Sequence, residues 1–335
     1  MAIVTVSIPT YNRCTYLRQA IQSVQQQTFR DFKLLVSDNG STDDTREIVA
    51  SYAKADARIV YNRFSENRGL AYNYKYAFMG PETEFVAILP DDDLWLPHHL
   101  ASAMDAFQSV PNAVLYGCTA RFFGKPSGHD FHRPSWVNGC TSRQILDTTK
   151  RFVPWLKESP LPPASVVFRT SARNHITWYS DDTFGPMDWL FGGQMALTGV
   201  TVFEPTVGVK LRWHEGNQSH VLLKGKRANA QFRYVMRSLA TSGLAKGAFT
   251  TADLVQEVVQ SWSLGAAANL VVALGAYDAN ASLRRAAFEI FQQRPELGKS
   301  LESTKHCRFA SRAGVWYLGL ADMVDRLIGR WWRPA

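Results

Sequence analysis

The first third of the chain alternates short β-branched runs with longer stretches whose apolar residues recur at helical spacing. "IVTVSIP", "FKLLVSD", "RIVYNRF" and "EFVAILP" read as strands. Between them, "TYLRQAIQSVQQQ" places Leu17, Ile21 and Val24 on one helical face. "GSTDDTREIVASYAKA" opens with capping residues and then places Ile48, Val49 and Tyr52 together, and "LAYNYKYAFMG" reads as a third helix. Strands separated by helices of this length pair in parallel through right-handed crossovers, so their carboxyl ends share one edge. Ligands of such sheets bind beyond that edge. Along it the pattern collects Thr10, Tyr11 and Asn12, then Asp38 and Asn39, then Asn62 to Gly69, then Asp91 to Asp93.

The middle of the chain is mixed. "NAVLYGCTARFF" and "ASVVFRT" predict strands, "MDWLFGGQMALTG" a short helix, and "VTVFEPTVGVKLRWHEGNQS" a strand, a bend and a second strand. From about His220 the chain turns helical, through "NAQFRYVMRSLATSG", "TADLVQEVVQSWSLGAAANLVVALGA" and "SLRRAAFEIFQQ". A final amphipathic helix carries Trp316, Leu320, Met323, Val324, Leu327 and Trp331 on one face. It has two readings: a helix lying on a membrane surface, or one packed on the catalytic core or a subunit neighbour. Asp322 and Asp325 dilute its basic face and favour packing.

Composition narrows the class. With 335 residues, 46% hydrophobic and 20% charged, the chain is an ordinary globular one with ample length for a core. A net charge of +8 suits an anionic partner without choosing among nucleotide, nucleic acid and membrane. Four cysteines lack metal-finger or CxxC spacing, which argues against a zinc knuckle or thiol redox centre. The start, "MAIVTVSIPTYNR", has no signal-peptide pattern, and no apolar run is long enough to span a bilayer. The expectation is a cytoplasmic protein with reduced thiols.

The sharpest chemistry lies in "EFVAILPDDDLWLP", Glu84 to Pro97, where a core strand runs straight into three carboxylates and an apolar stem follows. Adjacent carboxylates so held suit a hard divalent cation, Mg²⁺ or Mn²⁺, which keeps substrate phosphates and water in its shell. The alternative is a charged turn at a strand end.

Four segments together, "VSIPTYNR", "LLVSDNGSTDDT", "ENRGLAYN" and "ILPDDDLWLP", resemble the successive motifs of family 2 glycosyltransferases in order, spacing and sheet position. The resemblance covers roughly residues 3 to 220 and is strongest before about residue 105. It implies a GT-A-like α/β fold: a mixed, mostly parallel sheet flanked by helices, with a helical C-terminal extension. The implied divisions are 1–105 for the nucleotide-sugar half of the core, 106–220 for the acceptor and catalytic half, and 221–335 for the extension.

The implied activity is inverting transfer of a sugar from a nucleotide-diphosphate donor, a UDP-sugar by default, to an acceptor hydroxyl. The implied acceptor is a polysaccharide or lipid-linked glycan, at the inner face of a membrane if the last helix binds there. Nucleic acid is not an expected partner, and a homo-oligomer is left open.

By the same resemblance Pro9, Thr10, Tyr11 and Asn12 line the nucleotide pocket, and Asp38 accepts a hydrogen bond from the base. Asn67 and Gly69 shape the pocket wall, with Arg68 near the phosphates. The alternative for Asp38 is a helix-leading Asx turn, and Arg68 can equally be a solvated loop residue. The family's Asp-x-Asp-Asp motif, counted back from Pro97, meets Pro90 at its first position. Asp92 then takes the metal position, with Asp91 and Asp93 left to contact ribose, the ion or its water. Asp188 matches the acid that takes the proton from the acceptor hydroxyl, or else caps its helix; the second acid often found before it is here Met187. His214 in "RWHEGNQS" matches a histidine that contacts metal or phosphate, or else is structural.

Two rivals stand beside this reading. A sugar-phosphate nucleotidyltransferase would carry a Gly-rich phosphate loop near the N-terminus, and "PTYNRCTYL" has no glycine. A non-catalytic nucleotide- or glycan-binding protein would keep the fold without the base.

Overall fold

The computed structural model describes residues 2–124, 131, 132, 134, 137, 139–150, 152–158, 161–178, 186–214, 228–275 and 280–297. The amphipathic segment from Trp316 to Trp331 lies outside them.

The predicted β/α alternation is present. β1 (Val4–Thr10), β2 (Phe32–Asp38), β3 (Ile59–Arg63) and β4 (Phe85–Ile88) pair in parallel in the order β3-β2-β1-β4. The crossovers are α1 (Cys14–Gln25), α2 (Thr45–Ala55) and α3 (Leu70–Met79). Every residue of β1 is buried, as a central strand covered on both faces requires. On one face Val4, Val6 and Ile8 join Leu34 and Val36 of β2, with Leu17, Ile21 and Val24 of α1 and Val49 of α2 in a single core.

Beyond β4 the sheet turns mixed. β9 (Val167–Arg169) is antiparallel to both β4 and β6 (Ala113–Phe123), so a strand late in the chain fills the space between two earlier ones. α4 (His99–Ser109) precedes β6. β10 (Val200–Arg212) runs parallel to β6 and antiparallel to β5 (Leu94–Trp95) and β8 (Gln144–Asp147), and the two-residue β7 (Phe131–His132) adds to β6. The stretch read as strand, bend and strand is thus one strand, with register shifts between Glu204 and Val207 and between Val207 and Val209. Pro205 lies within the first of them, where a residue without an N–H is tolerated.

α5 (Met187–Ala196) packs on β6. Its Phe191 meets Phe78 of α3 edge-on, with ring centres 4.4 Å apart, and Phe168 of β9 at 5.1 Å. This aromatic cluster joins both halves of the sheet-bearing unit.

Residues 1–147 and 159–221 make that unit; residues 148–158 and 222–335 make a second compact one. In the second, α6 (Ala228–Ala245) and α7 (Thr251–Ser261) pack with the short turn Val153–Leu156, α8 (Leu264–Leu274) packs on α6, and α9 (Ala281–Gln293) on α7 and α8. The long apolar run from Thr251 breaks at Trp262, and the Ser263 side chain accepts from the Ala266 N–H to start a new helix. No described helix is long and apolar enough to cross a membrane.

Candidate active site

The carboxyl ends of β1, β2 and β4 bring the polar stretches together. β1 delivers Pro9 and Thr10, both buried, and the Thr10 hydroxyl donates to Asp91 Oδ2 at 2.7 Å. Tyr11 follows at 40% exposure. Asn12 has a left-handed backbone, φ 52°, which turns the chain into α1. Its N–H donates to Ser41 Oγ at 2.9 Å, and its Oδ1 accepts from the Thr42 N–H at 2.7 Å. The loops after β1 and β2 are thereby tied together.

Asp38, at the end of β2, is wholly buried. Its Oδ1 accepts from the Ser41 N–H at 2.8 Å, as an Asx turn does. Its Oδ2 accepts from the Tyr61 hydroxyl at 2.5 Å, and Arg63 Nε lies 3.5 Å away. Burial, followed by the bond to Asp38, raises the Tyr61 pKa. Tyr61 did not stand out in the sequence, and Arg63 did so only as part of the stretch Asn62 to Gly69. Their place beside Asp38 follows from the β2–β3 register, which sets Val36 against Tyr61 and Asp38 against Arg63.

Asn39 organises the third loop. Its amide donates to Asn67 Oδ1 at 2.8 Å and to the Gly69 carbonyl at 2.9 Å, and its Oδ1 accepts from the Arg68 N–H at 2.9 Å. The Arg68 guanidinium stacks over Phe64 and Tyr72 and donates to the Tyr72 hydroxyl at 2.8 Å. Gly69 adopts φ 89° at the start of α3.

Gly40 has φ 77°, and a Cβ there would lie 2.6 Å from the backbone carbon of Glu66. Gly40→Ala is therefore expected to cost at least about 1–2 kcal/mol from the left-handed backbone alone. Urea denaturation should show a lowered midpoint with an unchanged slope.

Asp91, Asp92 and Asp93 are 5%, 9% and 8% exposed. Asp93 N–H closes a turn onto the Pro90 carbonyl at 3.1 Å. Burial is the largest influence on Asp91, pushing its pKa up to about 7 against the attraction of Arg13, with Asp92 adding repulsion. Burial and then Asp92 also hold Asp93 well above the carboxylate range. The pKa of half-buried Tyr74 is raised by desolvation and then by the three acids.

The counter-charge is a residue that sequence reasoning passed over. Arg13 Nη1 lies 2.8 Å from Asp92 Oδ2 and 3.2 Å from Asp91 Oδ1. Burial opposes the Arg13 charge, and Asp91 and Asp92 more than offset this, so its pKa is raised. The visible signal was a basic residue next to "TYN", but its target lies 78 and 79 residues away.

The other support comes from the end of β10. Arg212 N–H donates to Asp93 Oδ1 at 2.8 Å, and its guanidinium donates to the Asp92 carbonyl at 2.8 Å and to Gln19 at 2.7 Å. It also lies over the rings of Tyr16 and Phe123. Two residues on, His214 Nε2 lies 3.0 Å from Asp92 Oδ2, with its ring 5.1 Å from that of Tyr16. Arg212 was visible only as the residue before Trp213-His214. Asp188 enters on a different element, in the first turn of α5, half-buried, where the helix dipole favours a negative charge.

Among the described residues no three His, Cys, Asp or Glu side chains form a ready-made metal cage. The donor chemistry nevertheless fits a hard cation bound in part by substrate. Asp92 and His214 present oxygen and nitrogen side by side, and the buried acids already draw in one cation, Arg13.

The Asp91 shift has a testable sign. Its folded pKa lies above its unfolded value, so its contribution is intact below about pH 4. It is lost as pH rises through about 7. With metal chelated, the melting temperature is expected to fall as pH rises from about 4 to about 7 and to level off above that. Asp91→Asn should flatten that slope; an identical slope in the variant would remove Asp91 as its cause.

The family model for glycosyl transferase family 2 matches residues 5–175, which is half of the chain and includes all three loops and the acidic run. The chain belongs to glycosyltransferase family 2. Among curated relatives, a Campylobacter jejuni GalNAc(5)-diNAcBac-PP-undecaprenol β-1,3-glucosyltransferase is 38% identical over 112 residues, 31% of this chain and 34% of that protein. The Streptomyces hygroscopicus validoxylamine A glucosyltransferase is 30% identical over 183 residues, 52% of this chain and 42% of the relative. The match therefore spans less than half the length of either relative.

Among solved structures, residues 1–349 of S. aureus TarS in complex with UDP-GlcNAc superpose with a TM-score of 0.59 at 15% identity, covering 98% of this chain and 93% of that one. The mannosyltransferase PcManGT from Pyrobaculum calidifontis, in complex with GDP-Man and Mn²⁺, superposes with a TM-score of 0.50 at 17% identity, covering 97% and 87%. At such identities the likeness concerns the fold, which is the GT-A-like mixed sheet flanked by helices.

Proposed function

We propose that this family member is an inverting, metal-assisted glycosyltransferase. It transfers a sugar from a nucleoside-diphosphate donor, a UDP-sugar, to an acceptor hydroxyl during polysaccharide or lipid-linked glycan synthesis. The observation that carries the reading is the buried acidic run on the ligand-binding edge of the sheet, with Asp92 against His214 and Thr10 against Asp91. The TarS complex with UDP-GlcNAc and the PcManGT complex with GDP-Man and Mn²⁺ support a nucleotide-sugar donor and a divalent ion. The undecaprenol-linked substrate named for the Campylobacter relative supports a lipid-linked acceptor.

In this reading the loops after β1, β2 and β3 form the nucleotide pocket, with the exposed Tyr11 as an aromatic surface for the base. Asp38 sets the floor of that pocket through Ser41 and Tyr61. Asp188 accepts the proton of the acceptor hydroxyl as its oxygen attacks the anomeric carbon from the face opposite the diphosphate. The bond to the anomeric carbon forms as the bond to the diphosphate oxygen breaks, which inverts the configuration. Asp92, Asp93 and His214 would hold a divalent cation, which would supply neutralisation of the charge that grows on the leaving diphosphate.

Calorimetric titration with UDP, with and without Mn²⁺, tests the donor half. Micromolar binding that strengthens with Mn²⁺ is expected; no binding of UDP or another nucleoside diphosphate under either condition would overturn it.

A further inference from the structure

The acidic run already holds a cation of the chain's own, and it sits on the oxygen that a divalent ion would need. Arg13 Nη1 lies 2.8 Å from Asp92 Oδ2, the same oxygen that faces His214 Nε2 at 3.0 Å. The same nitrogen reaches Asp91 Oδ1 at 3.2 Å. Arg212, which also meets the acidic run, is directed differently: its side chain donates to the Asp92 carbonyl and to Gln19. Arg13 belongs to the turn into α1, where its own backbone carbonyl accepts from the Leu17 N–H. Its side chain is a quarter exposed, so part of it already faces solvent.

A guanidinium and a hard divalent ion compete for one carboxylate oxygen. The guanidinium is fixed to the chain and needs no binding from solution, so it has the advantage until a second anion arrives. A diphosphate is such an anion. It adds oxygens that the divalent ion ligates strongly and that a displaced guanidinium can pair with.

We propose that Arg13 is an internal counter-ion that occupies Asp92 in the free enzyme and yields it to the divalent ion when a nucleoside diphosphate binds. This rests on the proposed metal-assisted reading of the site. Its consequence is order: the ion binds weakly alone and tightly with nucleotide, and the freed Arg13 guanidinium pairs with the diphosphate.

The test is Mn²⁺ binding to the full-length protein, read from the electron paramagnetic resonance signal of the free ion, with and without UDP. In the wild type, UDP should tighten Mn²⁺ binding by at least tenfold. Arg13→Met should tighten Mn²⁺ binding without UDP by about tenfold and shrink the UDP effect. Arg13→Lys, which keeps the charge, should stay within about threefold of the wild type. Should Arg13→Met not fold, Arg13→Gln reads the same shift, since it is polar but uncharged. If the uncharged variant binds Mn²⁺ alone no more tightly than the wild type, the proposal is overturned. If the wild type binds no Mn²⁺ even with UDP, the metal-assisted reading fails first, which is a distinguishable result.

Discussion

Asp188→Asn is expected to lower sugar transfer by roughly 10²–10⁴-fold while leaving UDP affinity unchanged. The asparagine is nearly isosteric, so the first turn of α5 keeps its shape, but an amide cannot accept the acceptor's proton. In the wild type Asp188 sits in the first turn of α5, where the helix dipole favours a negative charge. Loss should fall on kcat, because the base acts in the transition state rather than in holding either substrate. A transfer assay beside a UDP titration separates these effects. Retained transfer would assign Asp188 to helix capping alone. Lost transfer with lost UDP binding would point to a folding defect instead.

Asp92→Ala should be the second large effect, lowering transfer on the order of 100-fold or more, as loss of a group that stabilises developing charge does. Asp92 Oδ2 is the atom at which Arg13 and His214 meet, so this one truncation removes the central member of the proposed ligand set. Arg13 keeps Asp91 as a partner, and Arg212 keeps its bond to Asp93, so the loop should stay folded. UDP should still bind Asp92→Ala, but with the same affinity whether or not Mn²⁺ is present. A Mn²⁺ effect that survived the substitution would remove Asp92 from the metal role.

Much of the sheet-bearing unit was legible because its first half is local. Each β/α pair from Val4 to Ile88 occupies contiguous sequence, and a right-handed parallel connection leaves little choice about where strand ends meet. Thus Thr10, Asn12, Asp38, Asn67 and Asp91 could be placed on one edge from periodicity alone. The second half was harder. β9 comes about 80 residues after β4 and pairs with it antiparallel, and β10 reaches back to Trp95. A strand signal carries no information about such partners. The short segment 148–158, which groups with the C-terminal helices, was equally invisible because no composition change marks it.

The site divides in the same way. By itself the sequence determined the identity and order of the acid-bearing loops, since apolar runs that end in carboxylates are readable in one dimension. Tertiary structure alone decided what neutralises and orients those acids. Arg13 on Asp91 and Asp92, Tyr61 on Asp38, and Arg212 and His214 on Asp92 and Asp93 all come from other elements. Buried charges need partners within a few ångströms, and at that range the pairing depends on strand register and side-chain direction. Those are set only when the whole sheet has closed.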